Sequence, residues 1–242
     1  MTAPEHSEPA VDPAYLAATP YIDSDHAAVR ALAREAAGEE TDPKAKAIRL
    51  YYAIRDRFLY DPYSVEVSQD GLRASGVIER GKGFCVNKAI LLAAVARAEG
   101  IPARIGLADV KNHLATERLR AQMGTDIFYF HGFTELYIEG KWVKATPAFN
   151  LELCEKFRVL LLDFDGETDS VFHPFDADNR RHMEYVADRG SFADMPFGEW
   201  RDAMLKHYPY LMTEKRPEGG DFAAEAAAEA QNNKQKPQNK TP

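Results

Sequence analysis

Two residues in this chain could perform acyl chemistry as a pair. Cys85 lies in "GKGFCVNKAILLAAVARAEG", where a turn holding Gly81 and Gly83 gives way to apolar residues at helical period up to Gly100. A thiol is a useful nucleophile only as thiolate, and a free cysteine ionises near about pH 8.5, so an enzyme must set it beside a helix N-terminus or a histidine. The pattern places Cys85 at such a helix start. The two glycines are expected to let the backbone approach a substrate and to leave amides free for an oxyanion. The plainer reading is a small buried hydrophobe, as most free cysteines are. His131, downstream in "IFYFHGFTELYIEGKWVKATP", could reach the helix start in space and supply a general base.

The elements that must hold this pair are readable around it. "SDHAAVRALAREAAG" predicts a helix capped by Ser24 or Asp25 and ended by Gly38. "TDPKAKAIRLYYAIRDRFLYDP" predicts a second, with Thr41 or Asp42 as cap and Pro43 in its first turn. The helix beginning at Cys85 is apolar enough to be central. "ARIGLADV" then alternates as a strand, and the histidine segment reads as two strands joined by a turn at Glu139-Gly140. Past "AFNLELCEKF" the pattern is mixed, with a strand or short helix near "HMEYVADRG" and a last helix in "FGEWRDAMLKHYPYLM". Residues 1–13 read as a flexible N-terminus, 14–216 as one domain, and 217–242 as a disordered tail whose "FAAEAAAEA" has almost no apolar face to dock.

Composition excludes several function classes. A net charge of −8, with 45% hydrophobic residues, describes a globular protein with no cationic surface for nucleic acid. Two cysteines cannot build a disulfide framework, so a reducing, cytoplasmic compartment is expected. "MTAPEHSEPAVDPAYLAATP" lacks the basic start and apolar run of a signal peptide, and "AILLAAVA" is far too short for a membrane span, so no membrane association is expected.

Taken together, glycine, then cysteine, then a helix ending in "AEGIPARI", a strand histidine, the acidic-aromatic "ELY" and the "GKW" turn resemble the core of the transglutaminase-like superfamily, over about Leu50 to Asn150. The resemblance implies an α+β, papain-like fold with a central helix carrying Cys85 packed on an antiparallel sheet. It implies Cys85 as nucleophile and His131 as general base in a thioester mechanism on peptide or protein amide bonds, without a cofactor. Relatives usually carry an aspartate before a proline, four positions beyond the tryptophan of the turn; Thr146 stands there. An uncharged group can still orient an imidazole but supports an imidazolium less. Thr146, or Asn150 in the following loop, is the candidate for that task.

The remaining candidates have plainer readings. Cys154 in "LELCEKF" is expected in the core; His113 and His173 lack metal-motif spacing, so no metal is expected. Trp142 and Tyr137 are expected to pack the hairpin, though Trp142 could also wall an acyl site, and Arg104 and Glu135 could pair. "DFDGETD" reads as a solvated acidic turn rather than a calcium loop. Three activities compete: hydrolysis in preference to crosslinking, a binding module that retains the fold without turnover, and acyl transfer from a carrier thioester as in arylamine N-acetyltransferases. Oligomeric state is not legible.

Overall fold

The computed structural model of the chain describes residues 11–113, 115–172 and 182–212, together with 222, 224, 225, 228 and 229. His173 lies outside the described residues.

After a short 3-10 turn, α1 (Ala27–Ala37) and α2 (Pro43–Arg57) form the first layer. The α1 cap is His26, whose Nδ1 accepts from the Ala28 N–H at 3.3 Å, rather than Ser24 or Asp25. Ser24 is instead buried. Asp42 caps α2, accepting from the Ala45 N–H at 2.8 Å, with Pro43 placed where its missing N–H costs nothing. Next come β1 (Leu59–Tyr60), α3 (Gln69–Leu72), α4 (Ala74–Arg80) and β2 (Lys82–Gly83), the two short strands pairing in parallel.

The helix α5 (Cys85–Ala98) is buried from Cys85 through Arg97. A helix apolar all round has to be surrounded, and this one is enclosed by α1, α2 and α4 on its flanks and by the sheet beneath. That sheet contains β3 (Ala103–Asn112), β4 (Ile127–Ile138), β5 (Lys141–Ala145) and β6 (Met183–Phe192), antiparallel throughout, in the order β5-β4-β3-β6. The β4–β5 turn is at Glu139-Gly140, both with positive φ (48° and 84°) as a tight hairpin turn requires. Three further helices follow, α6 (Glu117–Met123) before β4, α7 (Leu151–Phe157) after β5, and α8 (Phe197–His207) after β6, and a 3-10 turn at Pro209–Met212 comes after α8. The mixed architecture of helices on an antiparallel sheet is therefore the α+β one read from the sequence.

Buried polar groups lock the layers. Lys88, fully buried on α5, donates to the carbonyls of Arg55, Phe58 and Ala148 at 2.8, 2.6 and 2.8 Å, using all three ammonium hydrogens. Arg97 at the other end of α5 donates to carbonyls of Ala17, Ala103 and Ala193. Arg104 and Glu135, directly opposite on β3 and β4, form an ion pair, and the Arg104 guanidinium lies 4.1 Å from the Trp142 ring centroid. Trp142 also packs edge-on against Tyr137 and Tyr15, so it serves the hairpin.

Phe222, expected in a tail without an apolar face, is buried, 5.7 Å from the Tyr60 ring and 6.2 Å from that of Tyr63. Glu225 bonds the Tyr63 hydroxyl and pairs with Arg118. A single aromatic residue supplies the docking surface that the alanine-rich pattern lacks. Among the described residues no helix is long and apolar enough to cross a membrane.

Candidate active site

Phe84 is the N-cap of α5, and no side chain caps the helix there. The first-turn amides are therefore available to whatever lies at the helix start. The Cys85 sulfur occupies that place, approached by the backbone N–H groups of Gly132, Val86 and Cys85 itself. Burial nonetheless dominates and pushes the thiol up to about 11, against the pull of those three donors toward thiolate.

Gly132 brings the base-bearing strand to the nucleophile. A Cβ on Gly132 would lie 2.8 Å from the Val86 Cα, so only glycine lets β4 pack this close to the α5 start. One turn further on, the Thr134 hydroxyl donates to the Ala89 carbonyl at 2.8 Å and pins the two elements together. His131, adjacent to Gly132, thereby opens on the same pocket as Cys85. The imidazole is buried, its ring 5.1 Å from that of Phe172, and burial pulls it down to about 3. Thiol and imidazole are thus both uncharged near neutral pH. Among the described residues His131 Nε2 has no hydrogen-bond partner.

Thr146 is buried at the end of β5, its N–H on the Ser170 carbonyl and its own carbonyl accepting from Tyr51. The Tyr185 hydroxyl reaches in toward Thr146, but Thr146 Oγ1 has no partner at full hydrogen-bond geometry. Thr146 and His131 are therefore not hydrogen-bonded to one another through those atoms. Asn150 uses Oδ1 to accept from the Tyr60 N–H at 3.2 Å. Cys154 is buried in α7, and burial pushes its thiol to about 12, as expected of a core residue.

The glycine-rich turn differs from its expected role. Gly81 is the left-handed cap of α4 (φ 66°), and Gly83 pairs in the short parallel ladder, where a Cβ would meet that of Asn87 at 2.6 Å. Both glycines serve chain geometry, while the N–H donors at the sulfur come from Gly132 and the α5 start. No local signal marks Gly132 as a donor, because its partner is remote in sequence.

The pocket beside Cys85 and His131 is a partly open cavity of about 50 Å³. Its walls include Tyr60, Phe84, Phe130, Trp200, Met204 and Tyr208, and among the described residues no Asp, Glu, Lys or Arg lines it. Trp200 stacks on Phe84 with ring centroids 6.2 Å apart. The sequence reading missed these walls. Trp200, Met204 and Tyr208 recur at helical spacing in the last predicted helix, and that stripe was the available signal.

A profile described as the transglutaminase-like superfamily matches residues 30–147. Among solved structures, a protein from Cytophaga hutchinsonii proposed to be a cysteine protease is 21% identical, with a TM-score of 0.44, over 73% of this chain and 51% of that one. A proposed protease from Parabacteroides distasonis ATCC 8503 is 17% identical, with a TM-score of 0.35, over 49% of this chain and 22% of that one. The chain thus spans about half the length of the first and about a fifth of the second. A comparison with curated proteins finds no match. The match to the transglutaminase-like superfamily over residues 30–147 takes in both the helix that carries Cys85 and the strand that carries His131.

Proposed function

We propose that this protein is a thiol enzyme that cleaves amide bonds of a peptide or protein through a thioester, with water as the usual acceptor. The observation that carries the reading is the Cys85 sulfur at an uncapped helix start, facing the Gly132 N–H and sharing one pocket with His131. In the first step Cys85 Sγ bonds to the acyl carbon, its proton passes to His131 and on to the leaving nitrogen, and the C–N bond breaks. Water then adds to the thioester with His131 taking its proton. The C–S bond breaks, carboxylic acid is released, and the proton returns to the thiol. Backbone donors around the sulfur are suited to the developing oxyanion.

A neutral imidazole is already in the form a base needs. The uncharged, largely aromatic walls suit an apolar or aromatic acyl group, since an ionised side chain would lose its hydration there without a partner. Hydrolysis is preferred because crosslinking requires a site that admits an amine while excluding abundant water.

The test is intact-protein and peptide mass spectrometry after exposure to N-acetylphenylalanine p-nitrophenyl ester. An acyl adduct on Cys85 that turns over in water, and is lost in Cys85→Ala and His131→Ala, supports the reading. A second reading, a peptide-binding module, is favoured by the uncharged thiol and imidazole and by the absence, among the described residues, of a hydrogen-bond partner for His131 Nε2. Equally slow labelling of Cys85 and Cys154 would select it. Partition of the acyl group between water and an added alkylamine separates hydrolysis from transfer.

A further inference from the structure

Asp109 and the residue before His131 form an arrangement that the chemistry above does not explain. On β3 and β4, Ala108 pairs with His131 but Val110 pairs with Phe128, so Tyr129 and Phe130 together face Asp109 alone. This is a two-for-one bulge. It shifts side-chain alternation, placing His131 on the same sheet face as Phe128, whereas an unbroken strand would turn it to the opposite face. Phe130 has φ of 55°, a left-handed conformation that costs a bulky L-residue on the order of 1 kcal/mol or more and needs support from its surroundings.

Side chains provide that support for both bulge amides. Asp109 Oδ1 accepts from the Phe130 N–H at 3.1 Å, and the Tyr208 hydroxyl accepts from the Tyr129 N–H at 2.8 Å. Asp109 is only 3% exposed, and Arg189 on β6 grips it, with Nε at 3.1 Å from each carboxylate oxygen and Nη2 on Oδ2. The guanidinium lies 5.2 Å from the Phe130 ring centroid, covering the residue whose amide the carboxylate holds. The β3–β6 register also slips between Asp109 and Val110, so the irregularity spans three strands around this carboxylate. The Arg189 side chain is exposed, and an ion pair open to solvent adds little net stability, which leaves its effect on geometry as the stronger reason for its presence.

We infer that Asp109 is a positioning residue for His131: its carboxylate, oriented by Arg189, holds the Phe130 bulge that aims the imidazole into the Cys85 pocket. The inference rests on His131 acting as the base.

The test is a double-mutant cycle on the full chain, using the acylation rate with N-acetylphenylalanine p-nitrophenyl ester and, in parallel, alkylation of Cys85 by iodoacetamide, which draws on thiolate in equilibrium with solvent and does not use His131. Asp109→Ala is expected to slow acylation roughly 100-fold, the scale of an ångström-sized misplacement. Alkylation should change less than about threefold, and Asp109→Asn, which retains an acceptor for the Phe130 N–H, should restore acylation to within about fivefold. In the His131→Ala background both Asp109 substitutions should have no further effect, because what they misplace is gone. Losses of equal size in both backgrounds would assign Asp109 a merely structural role and overturn the inference, as would unchanged acylation in folded Asp109→Ala. If Asp109→Ala does not fold, the Arg189→Ala cycle decides, because Arg189 orients the carboxylate: a loss seen only where His131 is present supports positioning, and an equal loss in both backgrounds or none overturns it. Undiminished acylation in His131→Ala alone would instead refute the base role.

Discussion

The backbone N–H of Gly132 faces the sulfur of Cys85, while the Cα of the same glycine packs against the start of the helix that carries that cysteine. One residue on β4 thus supplies a donor to the nucleophile and sets how close the histidine strand can come. Gly132→Ala places a methyl group against the Val86 backbone, so β4 must move outward. The expected cost is about 1–3 kcal/mol of stability by overpacking, with acylation of Cys85 slowed tenfold or more. Denaturant unfolding and acyl-adduct mass spectrometry on the same samples check both figures.

Cys85 and Cys154 should behave differently although both are buried. Cys85 opens on the pocket and has three N–H groups at its sulfur, while Cys154 is pushed higher, to about 12. Alkylation by iodoacetamide should select Cys85. Its rate should climb close to tenfold per pH unit from neutrality toward about 11, with no plateau near pH 6, because the resting pair is thiol and imidazole rather than an ion pair. A plateau beginning below pH 7 would show a preformed thiolate-imidazolium pair instead.

His131 should make the fold sensitive to acid. Its folded pKa is depressed from 6.5 to about 3 by burial, so below 6.5 the unfolded chain binds a proton that the folded chain refuses. Stability from this group is complete above about pH 6.5 and lost progressively as pH falls toward 3, at up to about 1.4 kcal/mol per unit. Carboxylates titrate over part of the same window. The informative quantity is therefore the difference between the wild-type and His131→Gln stability curves, which should diverge across it; parallel curves would contradict the burial argument.

Lys88→Met should be costly despite similar length. It removes the three hydrogen bonds to Arg55, Phe58 and Ala148 and leaves those carbonyls without that donor. A loss of about 3 kcal/mol or more is expected, corresponding to a Tm lower by roughly 6–12 °C. Calorimetry of the variant tests this directly.

Thr146→Val should be mild. Its hydroxyl has no partner at full hydrogen-bond geometry, so acylation is expected to remain within about threefold of wild type. A loss of 100-fold would show that Thr146 orients the imidazole during the reaction.

Local sequence alone determined that a helix starts at Cys85 and is buried, that a cap at Thr41 or Asp42 followed by Pro43 opens α2, and that Glu139-Gly140 turns the hairpin carrying His131. Each depends on near neighbours: apolar period, a cap with its proline, and two residues able to take positive φ. Ordered motifs also sufficed to place Cys85 and His131 in a common core. Tertiary structure alone decided what surrounds them. The Gly132 donor, the Trp200 wall, the docking of Phe222 and the grip of Asp109 on the Phe130 bulge join residues far apart in the chain, and no local periodicity encodes such pairings. The same distinction explains Gly81 and Gly83, whose glycine-rich spelling suggested a substrate cradle. Their freedom is instead used by a left-handed helix cap and by the close approach of Asn87, and the donors at the sulfur come from a strand that only folding brings there.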